Sequence, residues 1–178
     1  IVKDNTGNPP QTPAGNYTDY VRDVGVQVEN FAAPVKTAAS KVTIKSSKWT
    51  PVNQNVLADQ LKIVAQMIAG GLKTRVYIVN LNGFDTHTNQ NVDASGTSKN
   101  YSQAQLLGFL SVAIDAFMDE LKLQNQQDRV IGMTFSEFGR RIFANSGTDH
   151  GAAAPLFVFG TNVNTGIFGP NPVIPSSV

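Results

Sequence analysis

The chain has 178 residues, of which 41% are hydrophobic, so it is long and apolar enough to bury the core of one domain. Its net charge of +1, with lysine and arginine dispersed, excludes the basic surface of a nucleic-acid-binding protein. No apolar run approaches the roughly 20 residues of a membrane-spanning helix, and the absence of cysteine excludes disulfides, thiolate metal sites and a cysteine nucleophile.

The first predicted helix follows an irregular N-terminal segment, residues 1–15, which is rich in Asn, Pro, Thr and Gly. Its apolar residues recur at spacings of four and three, which is typical of one face of an amphipathic helix. They are Tyr17, Val21, Val24, Val28 and Phe31. We expect the helix to end at Ala33-Pro34, because a residue before proline avoids the helical region.

Two further helices are predicted from the same kind of pattern. The apolar face of the second consists of Leu57, Leu61, Val64 and Ile68. This helix is expected to end at Gly70-Gly71, since glycine accepts the left-handed cap conformation without steric cost. The third runs from about Ser102 to Gln124, and Ser102 and Gln105 have the spacing of a capping box. Its apolar face consists of Leu106, Leu110, Ile114, Phe117 and Leu121.

Three apolar segments are predicted strands, at residues 75–81, 130–135 and 156–159. The first is expected to be buried on both faces, because its apolar residues do not alternate with polar ones. A strand, a long helix and a second strand predict a right-handed crossover and a parallel sheet. The predicted fold class is therefore α/β, with a mostly parallel sheet flanked by helices. Three strands are few for such a sheet, so we expect the missing strands to precede Ile1 and the chain to be a fragment or a processed form.

Both histidines of the chain stand beside an aspartate in short glycine-bounded motifs. Asp85 and His87 follow the first predicted strand, and Asp149 and His150 precede the third. Ligands bind at the carboxyl ends of parallel strands, and residues two apart on an extended segment point to the same side. Imidazole nitrogens and carboxylate oxygens together suit a divalent metal, with zinc first and manganese, magnesium or calcium as alternatives.

A structural interpretation stays open for each motif. Asp149 could cap a turn through its own backbone, and a single His-Asp pair is more often a structural hydrogen bond than a metal site. Two such motifs, each next to a predicted buried strand, favour the metal site.

The segment Ser-Glu-Phe-Gly-Arg-Arg, residues 136–141, follows the second predicted strand and adds three candidates. Glu137 is a further candidate metal ligand, or else it stabilises the N-terminus of a short helix. Arg140 is a candidate to bind the oxygens of a phosphate or sulfate, and is otherwise a solvated surface charge. Ser136 is a candidate nucleophile, although it lacks the preceding glycine of a nucleophile elbow.

Four segments, in this order, resemble the C-terminal half of the DUF1501 family and lie within residues 53–171. They are Leu61–Ala65, Gly83–His87, Ser136–Arg141 and Gly147–Gly151. DUF1501 proteins are bacterial, usually exported and of uncharacterised function, and are placed in the alkaline phosphatase-like and sulfatase-like superfamily. The resemblance implies that residues 1–178 form a single, partial domain of that fold, with metals at the carboxyl edge of its sheet.

Residue by residue, the resemblance implies that Asp85 and His87 hold one metal and that His150 completes its site. Glu137 and Phe138 stand where the superfamily commonly has an Asp-His pair for a second metal. Because phenylalanine cannot ligate a metal, a complete two-metal site is not expected. The resemblance implies that the superfamily's serine or threonine nucleophile lies in an N-terminal half outside residues 1–178, and that half of the same protein is an expected partner.

The leading hypothesis is an exported metal-dependent hydrolase, periplasmic or extracellular, that cleaves a small anionic phosphate or sulfate ester and is represented by its C-terminal half. The metal would polarise the ester oxygen, and Arg140 would bind the equatorial oxygens. The alternative is a non-catalytic exported scaffold or binding protein that retains the fold. A ring-opening or isomerising metal enzyme is a third hypothesis, because the superfamily also hosts phosphate migrations.

Overall fold

The computed structural model describes residues 7–87, 90, 102–144 and 148–170. The helices in these ranges are α1 (Pro13–Ser40), α2 (Val56–Ala69) and α3 (Gln103–Leu123), and Gln127–Arg129 form a short 3-10 turn. The strands are β1 (Gly132–Met133), β2 (Gly139–Ala144), β3 (Thr148–Gly151) and β4 (Val158–Phe159). No helix in this described part of the chain is both long and apolar enough to cross a membrane.

The predicted helices α2 and α3 are confirmed, because local signals define their ends. The Ser102 hydroxyl accepts a hydrogen bond from the N–H of Gln105, and the Gln105 side chain accepts one from the N–H of Ser102. These two bonds complete the predicted capping box at the start of α3. Just beyond α2, Gly71 has a φ of +83°, a left-handed conformation that glycine adopts without steric cost.

The helix α1 does not end at Ala33-Pro34 as predicted, but continues through Pro34 to Ser40. A proline inside a helix removes one backbone hydrogen bond and costs about 3 kcal/mol. The helix continues because its last turn packs against the end of α2. Ala38 is buried there, and a Cβ added at Gly70 would lie 2.1 Å from the Ala38 carbonyl oxygen. Tertiary packing therefore overrides the local signal at Pro34.

The hydrophobic core lies between α2 and α3. Its buried members are Leu57, Ala58, Leu61, Val64, Ala65, Ile68, Ala113, Phe117 and Leu121. Burying a leucine, valine, isoleucine or phenylalanine side chain stabilises a fold by about 1.5–3 kcal/mol. This helix pair is therefore the platform on which the extended segments of the chain pack.

A buried carboxylate ties the linker after α1 to α3. Glu120 is fully buried, and its oxygens accept hydrogen bonds from the backbone N–H groups of Lys45 and Ser46. The Trp49 indole and the Gln124 amide also donate to it, at 3.3 and 2.7 Å. Burial opposes ionisation of Glu120, but these four donors outweigh it and hold the pKa of the carboxyl below its ordinary value.

The predicted fold class holds only in its coarse form, a mixture of helices and strands. Within the described ranges, β1 pairs antiparallel with β4, and β2 pairs antiparallel with β3. The predicted strands 130–135 and 156–159 shrink to β1 and β4, which pair with each other. The predicted parallel sheet and right-handed crossover are therefore not found among these residues.

Residues 75–81 form an unpaired extended segment rather than the predicted strand. Its inward residues, which pack on the helical core, are Tyr77, Val79 and Leu81. Val76 and Ile78 are 74% and 79% exposed, so the prediction that both faces are buried is wrong. The helices cover one face only. The Gln60 side chain bonds to both the N–H and the carbonyl oxygen of Asn80, where a neighbouring strand would pair.

Candidate metal centre

Three potential metal ligands, Asp85, His87 and His150, meet at the protein surface and are called the triad below. His87 Nδ1 lies 2.7 Å from Asp85 Oδ1, and His150 Nε2 lies 2.9 Å from the same oxygen. The ligand atoms of all three residues are within 4.8 Å of one another. The structure thus brings together one residue pair and one single residue that are far apart in the sequence.

A tight turn presents Asp85 and His87 on the same side of the chain. The N–H of Thr86 donates to the carbonyl oxygen of Phe84 at 2.9 Å, and Thr86 is buried. Because Thr86 is buried while Asp85 and His87 are both exposed, the turn directs the two ligands outward together. Gly83 precedes this turn with a φ of +106°, a conformation that favours glycine.

His150 reaches the same point from the antiparallel pair of β2 and β3, in which Arg140 lies opposite His150. The backbone of Gly139 in β2 lies very close to the backbone just after β3. A Cβ added at Gly139 would be only 1.7 Å from the carbonyl oxygen of Ala153. The Phe138 ring stacks on the His150 imidazole, with centroids 4.0 Å apart and 6° between the planes. The stack and the strand pairing together restrict the orientation of the imidazole.

Arg140 joins the two segments that carry the triad. One terminal nitrogen of its guanidinium donates to the carbonyl oxygen of Thr148 at 2.6 Å, and the other donates to that of Phe84 at 2.5 Å. The second nitrogen also lies 3.6 Å from Asp85 Oδ1, and the side chain is only 16% exposed. Arg140 therefore positions the triad in this structure. Its predicted contact with substrate oxygens stays a prediction.

The electrostatics of the triad keep Asp85 ionised. The hydrogen bond with His150 holds the pKa of Asp85 below its ordinary value, against the opposing effect of desolvation. The charges of His87, His150 and Arg140 act in the same direction as the hydrogen bond. An ionised carboxylate is the form that binds a metal.

Three other predicted site residues lie outside the triad. Ser136 and Glu137 are exposed between β1 and β2, and the Ser136 hydroxyl accepts a long hydrogen bond, 3.5 Å, from a backbone N–H. A strand follows Glu137 instead of the expected helix. Asp149 neighbours His150 in β3, but its carboxylate lies 3.7 Å from the Arg141 guanidinium. The roles of Ser136, Glu137 and Asp149 as nucleophile or ligands stay predictions.

Two positions that shape the triad, Thr86 and Phe138, were not predicted to do so. The position of Thr86 between Asp85 and His87 could have indicated its role. If both ligands are exposed on one side of the chain, the residue between them points to the buried side. From the sequence, Phe138 is notable only as a residue that cannot bind a second metal. It stands two residues before Arg140, so both side chains lie on the same side of the extended segment, next to His150.

The donor set of the triad is compatible with a divalent metal such as zinc. Two imidazole nitrogens and one carboxylate oxygen are ordinary zinc ligands, whereas calcium and magnesium prefer oxygen alone. Tetrahedral bonds of 2.0–2.1 Å place two ligand atoms about 3.3 Å apart. The observed nitrogen–oxygen distances of 2.7 and 2.9 Å would have to widen by roughly half an ångström, which exposed side chains can accommodate by rotation.

Residues 27–175 match the model of a family described as a protein of unknown function, DUF1501. The chain belongs to the DUF1501 family. The match begins upstream of the expected residue 53, so it includes the second half of α1. All three triad residues of this DUF1501 protein lie within the matched range. No curated protein and no solved structure matches the chain.

Proposed function

We propose that Asp85, His87 and His150 of this DUF1501 protein bind one zinc ion. The observation that carries the proposal is the convergence of two imidazoles and a carboxylate within 4.8 Å, from segments on opposite sides of α3 in the sequence. Because Arg140 and Phe138 restrain both segments, the ligand atoms are held near one another before a metal arrives. Such preorganisation favours the interpretation that the triad binds a metal over the interpretation that its residues merely form hydrogen bonds at the surface.

We further propose that this site belongs to an exported hydrolase, periplasmic or extracellular, of the alkaline phosphatase-like superfamily. Its substrate would be a small phosphate or sulfate ester. Three protein ligands leave a coordination position open, which is usual in catalytic zinc sites. The triad side chains are 45–58% exposed, so an ester can reach them. When bound, zinc supplies Lewis-acid stabilisation of the negative charge on the ester oxygen.

The residues of this chain would hold and orient such a site. The guanidinium of Arg140, next to Asp85, adds a positive charge that favours an anionic substrate. Ser136 lies outside the triad, so we assign the nucleophile to the N-terminal half that the resemblance implies. The order of the motifs supports membership of the superfamily. The superfamily's parallel sheet is not found among the described residues, where both strand pairs are antiparallel.

A second candidate function is a non-catalytic exported scaffold or binding protein that carries one metal. The observation that favours it is the stack of Phe138 on His150. The ring covers one face of the imidazole at the position where the superfamily commonly places ligands for a second metal. A single metal with that face covered would serve binding or structure rather than two-metal ester hydrolysis.

The zinc proposal is tested by the metal content of the purified protein, measured by mass spectrometry after zinc is added and unbound zinc is removed. We expect near one zinc per chain in the wild type and little in Asp85→Ala and His150→Ala. Asp128→Ala is a matched control, because it removes an exposed aspartate that is not in the triad and is not a predicted ligand. Equal zinc content in all four proteins would show that the triad is not the site.

The hydrolase proposal is tested separately with p-nitrophenyl phosphate and p-nitrophenyl sulfate, using the zinc-loaded protein together with its proposed N-terminal half. Hydrolysis that is lost in Asp85→Ala but kept in Asp128→Ala supports the enzyme. Zinc binding without hydrolysis of either ester favours the scaffold or binding protein.

A further inference from the structure

The N-terminal part of α1 carries an apolar stripe that no other described residue of the chain covers. The stripe consists of Tyr17, Val21, Val24, Val28 and Phe31, which are 39% to 70% exposed. Within the described residues, α1 is buried only at its two ends, where Gly15 meets Pro10 and where Ala38 meets Gly70. A helix that leaves an apolar face in water over several turns is poorly stable unless that face is covered.

The spacing of the apolar residues in the stripe is typical of a helix that packs against another helix. Steps of four, three, four and three residues lead from Tyr17 to Phe31, and two further steps of four and three reach Val35 and Ala38. The exposed part of this 3.5-residue repeat covers the two heptads from Tyr17 to Phe31, because Ala38 is buried against Gly70, and such a repeat is typical of the seam of a coiled coil. Tyr20 is also exposed beside the stripe, and Val26 is exposed on the opposite side of α1. A helix lying on a membrane, in contrast, is rich in lysine and arginine on its polar face.

We propose that α1 of two copies of this chain form a parallel, two-stranded coiled coil through the stripe. In heptad notation Val21, Val28 and Val35 occupy the a positions, and β-branched residues at a favour two parallel strands. The same chain is the natural partner, because a twofold pairing sets each a and d residue against its own copy.

The charges of α1 permit this self-association. Arg22, Asp23, Glu29 and Lys36 lie at the b and c positions, outside the seam. No charged residue occupies an a, d, e or g position between residues 17 and 38, so two copies bring no like charges together. The short polar residues Thr18 and Gln27 flank the seam instead.

The area of the seam is sufficient for a dissociable dimer. Covering the stripes of two copies removes on the order of 1,000 Å² from water, to which the four aromatic rings contribute about half. That area is at the lower bound of specific interfaces. Because α1 is already helical and anchored at Ala38, association does not have to order the helix first.

The proposal is tested by sedimentation equilibrium of the whole chain at concentrations well above micromolar. The expected mass is twice the 19.1 kDa of one chain. Val28→Asp places a charge in the seam and should yield the monomer, whereas Val26→Asp is a matched control at an exposed position on the opposite side of α1. A monomeric wild type, a trimer, or equal dissociation of both variants would overturn the proposal.

Cross-linking tests the parallel orientation, and the chain favours this experiment because it has no cysteine. In a parallel seam Val24 faces its own copy, so Val24→Cys should form a disulfide-linked dimer under mild oxidation. Val26→Cys, on the outer side of the helix, should remain a monomer on a non-reducing gel. Cross-linking of Val26→Cys to the same extent, or none of Val24→Cys, would exclude the parallel seam.

Discussion

The aromatic ring of Phe138 lies parallel to the imidazole of His150, with 4.0 Å between the ring centroids. Phe138 is thus the only ring stacked face to face on a triad ligand within the described residues. The stack restricts rotation of the imidazole while both of its nitrogens stay free of the phenyl ring. Phe138 therefore acts on the triad through His150 and does not itself offer a ligand atom.

The first prediction concerns this stack. Phe138→Ala should weaken zinc binding by about tenfold, because outer partners of a metal ligand typically contribute 10–100-fold in affinity. Phe138→Tyr retains the ring and should bind nearly as tightly as the wild type. The measurement is a zinc titration against a competing chelator. If Phe138→Ala binds like Phe138→Tyr, the stack does not restrain His150.

The second prediction concerns the arginine that joins the two triad segments. Arg140→Lys keeps the positive charge but cannot reach the carbonyl oxygens of Phe84 and Thr148 together, because lysine lacks the planar fork of arginine. Zinc affinity should fall by about 10–100-fold. Arg141→Lys is the control, since its exposed side chain lies 3.7 Å from Asp149 and contacts no triad residue in the described part of the chain. An equal loss in both variants would refute the positioning role of Arg140.

The helices could be predicted from the sequence because their determinants are local. Ser102 and Gln105 cap α3 within a single turn, and the Gly70-Gly71 pair ends α2. The end of α1 could not be predicted from Pro34, because the packing of Ala38 against Gly70 is a contact between residues distant in sequence. Local signals define an end unless a distant contact outweighs them.

The strands were predicted less well for a related reason. Val76 and Ile78 are apolar, which the sequence displays, but whether another layer covers them depends on contacts that it does not display. The triad contains one feature that could be predicted from the sequence and one that could not. Asp85 and His87 are two residues apart, so their common side could be predicted, whereas His150 joins them through antiparallel β2 and β3 rather than the expected parallel edge.

The third prediction concerns pH and Glu120. A carboxyl whose pKa is lower in the folded protein stabilises the fold above its unfolded pKa, and this stabilisation is lost as the pH falls through the folded pKa. The free energy of unfolding of the wild type should therefore decrease below about pH 4.5, the ordinary value for glutamate. Glu120→Gln should lower stability near pH 7 by about 2 kcal/mol, because hydrogen bonds to a charged group contribute 1.5–3 kcal/mol.

Urea denaturation over a pH series measures this effect. Glu120→Gln should also show a weaker dependence of stability on pH in the acid range, since its side chain does not titrate. Glu29→Gln removes the same charge from an exposed position of α1 and should leave stability within about 0.5 kcal/mol of the wild type. A wild type and Glu120→Gln with parallel pH curves would contradict the linkage.

The fourth prediction compares Gly108, which has open space around it, with Gly70, which is packed tightly against α1. A Cβ added at Gly108, an exposed position within α3, meets no atom within 4 Å, so Gly108→Ala should stabilise the fold by about 1 kcal/mol through helix propensity. A Cβ at Gly70 would lie 2.1 Å from the backbone oxygen of Ala38, so Gly70→Ala must push α1 away from α2. Such overpacking costs about 1–3 kcal/mol.

Thermal unfolding followed by circular dichroism should give a higher midpoint for Gly108→Ala and a lower one for Gly70→Ala. If Gly70→Ala is as stable as the wild type, the contact that carries α1 past Pro34 is not a tight one.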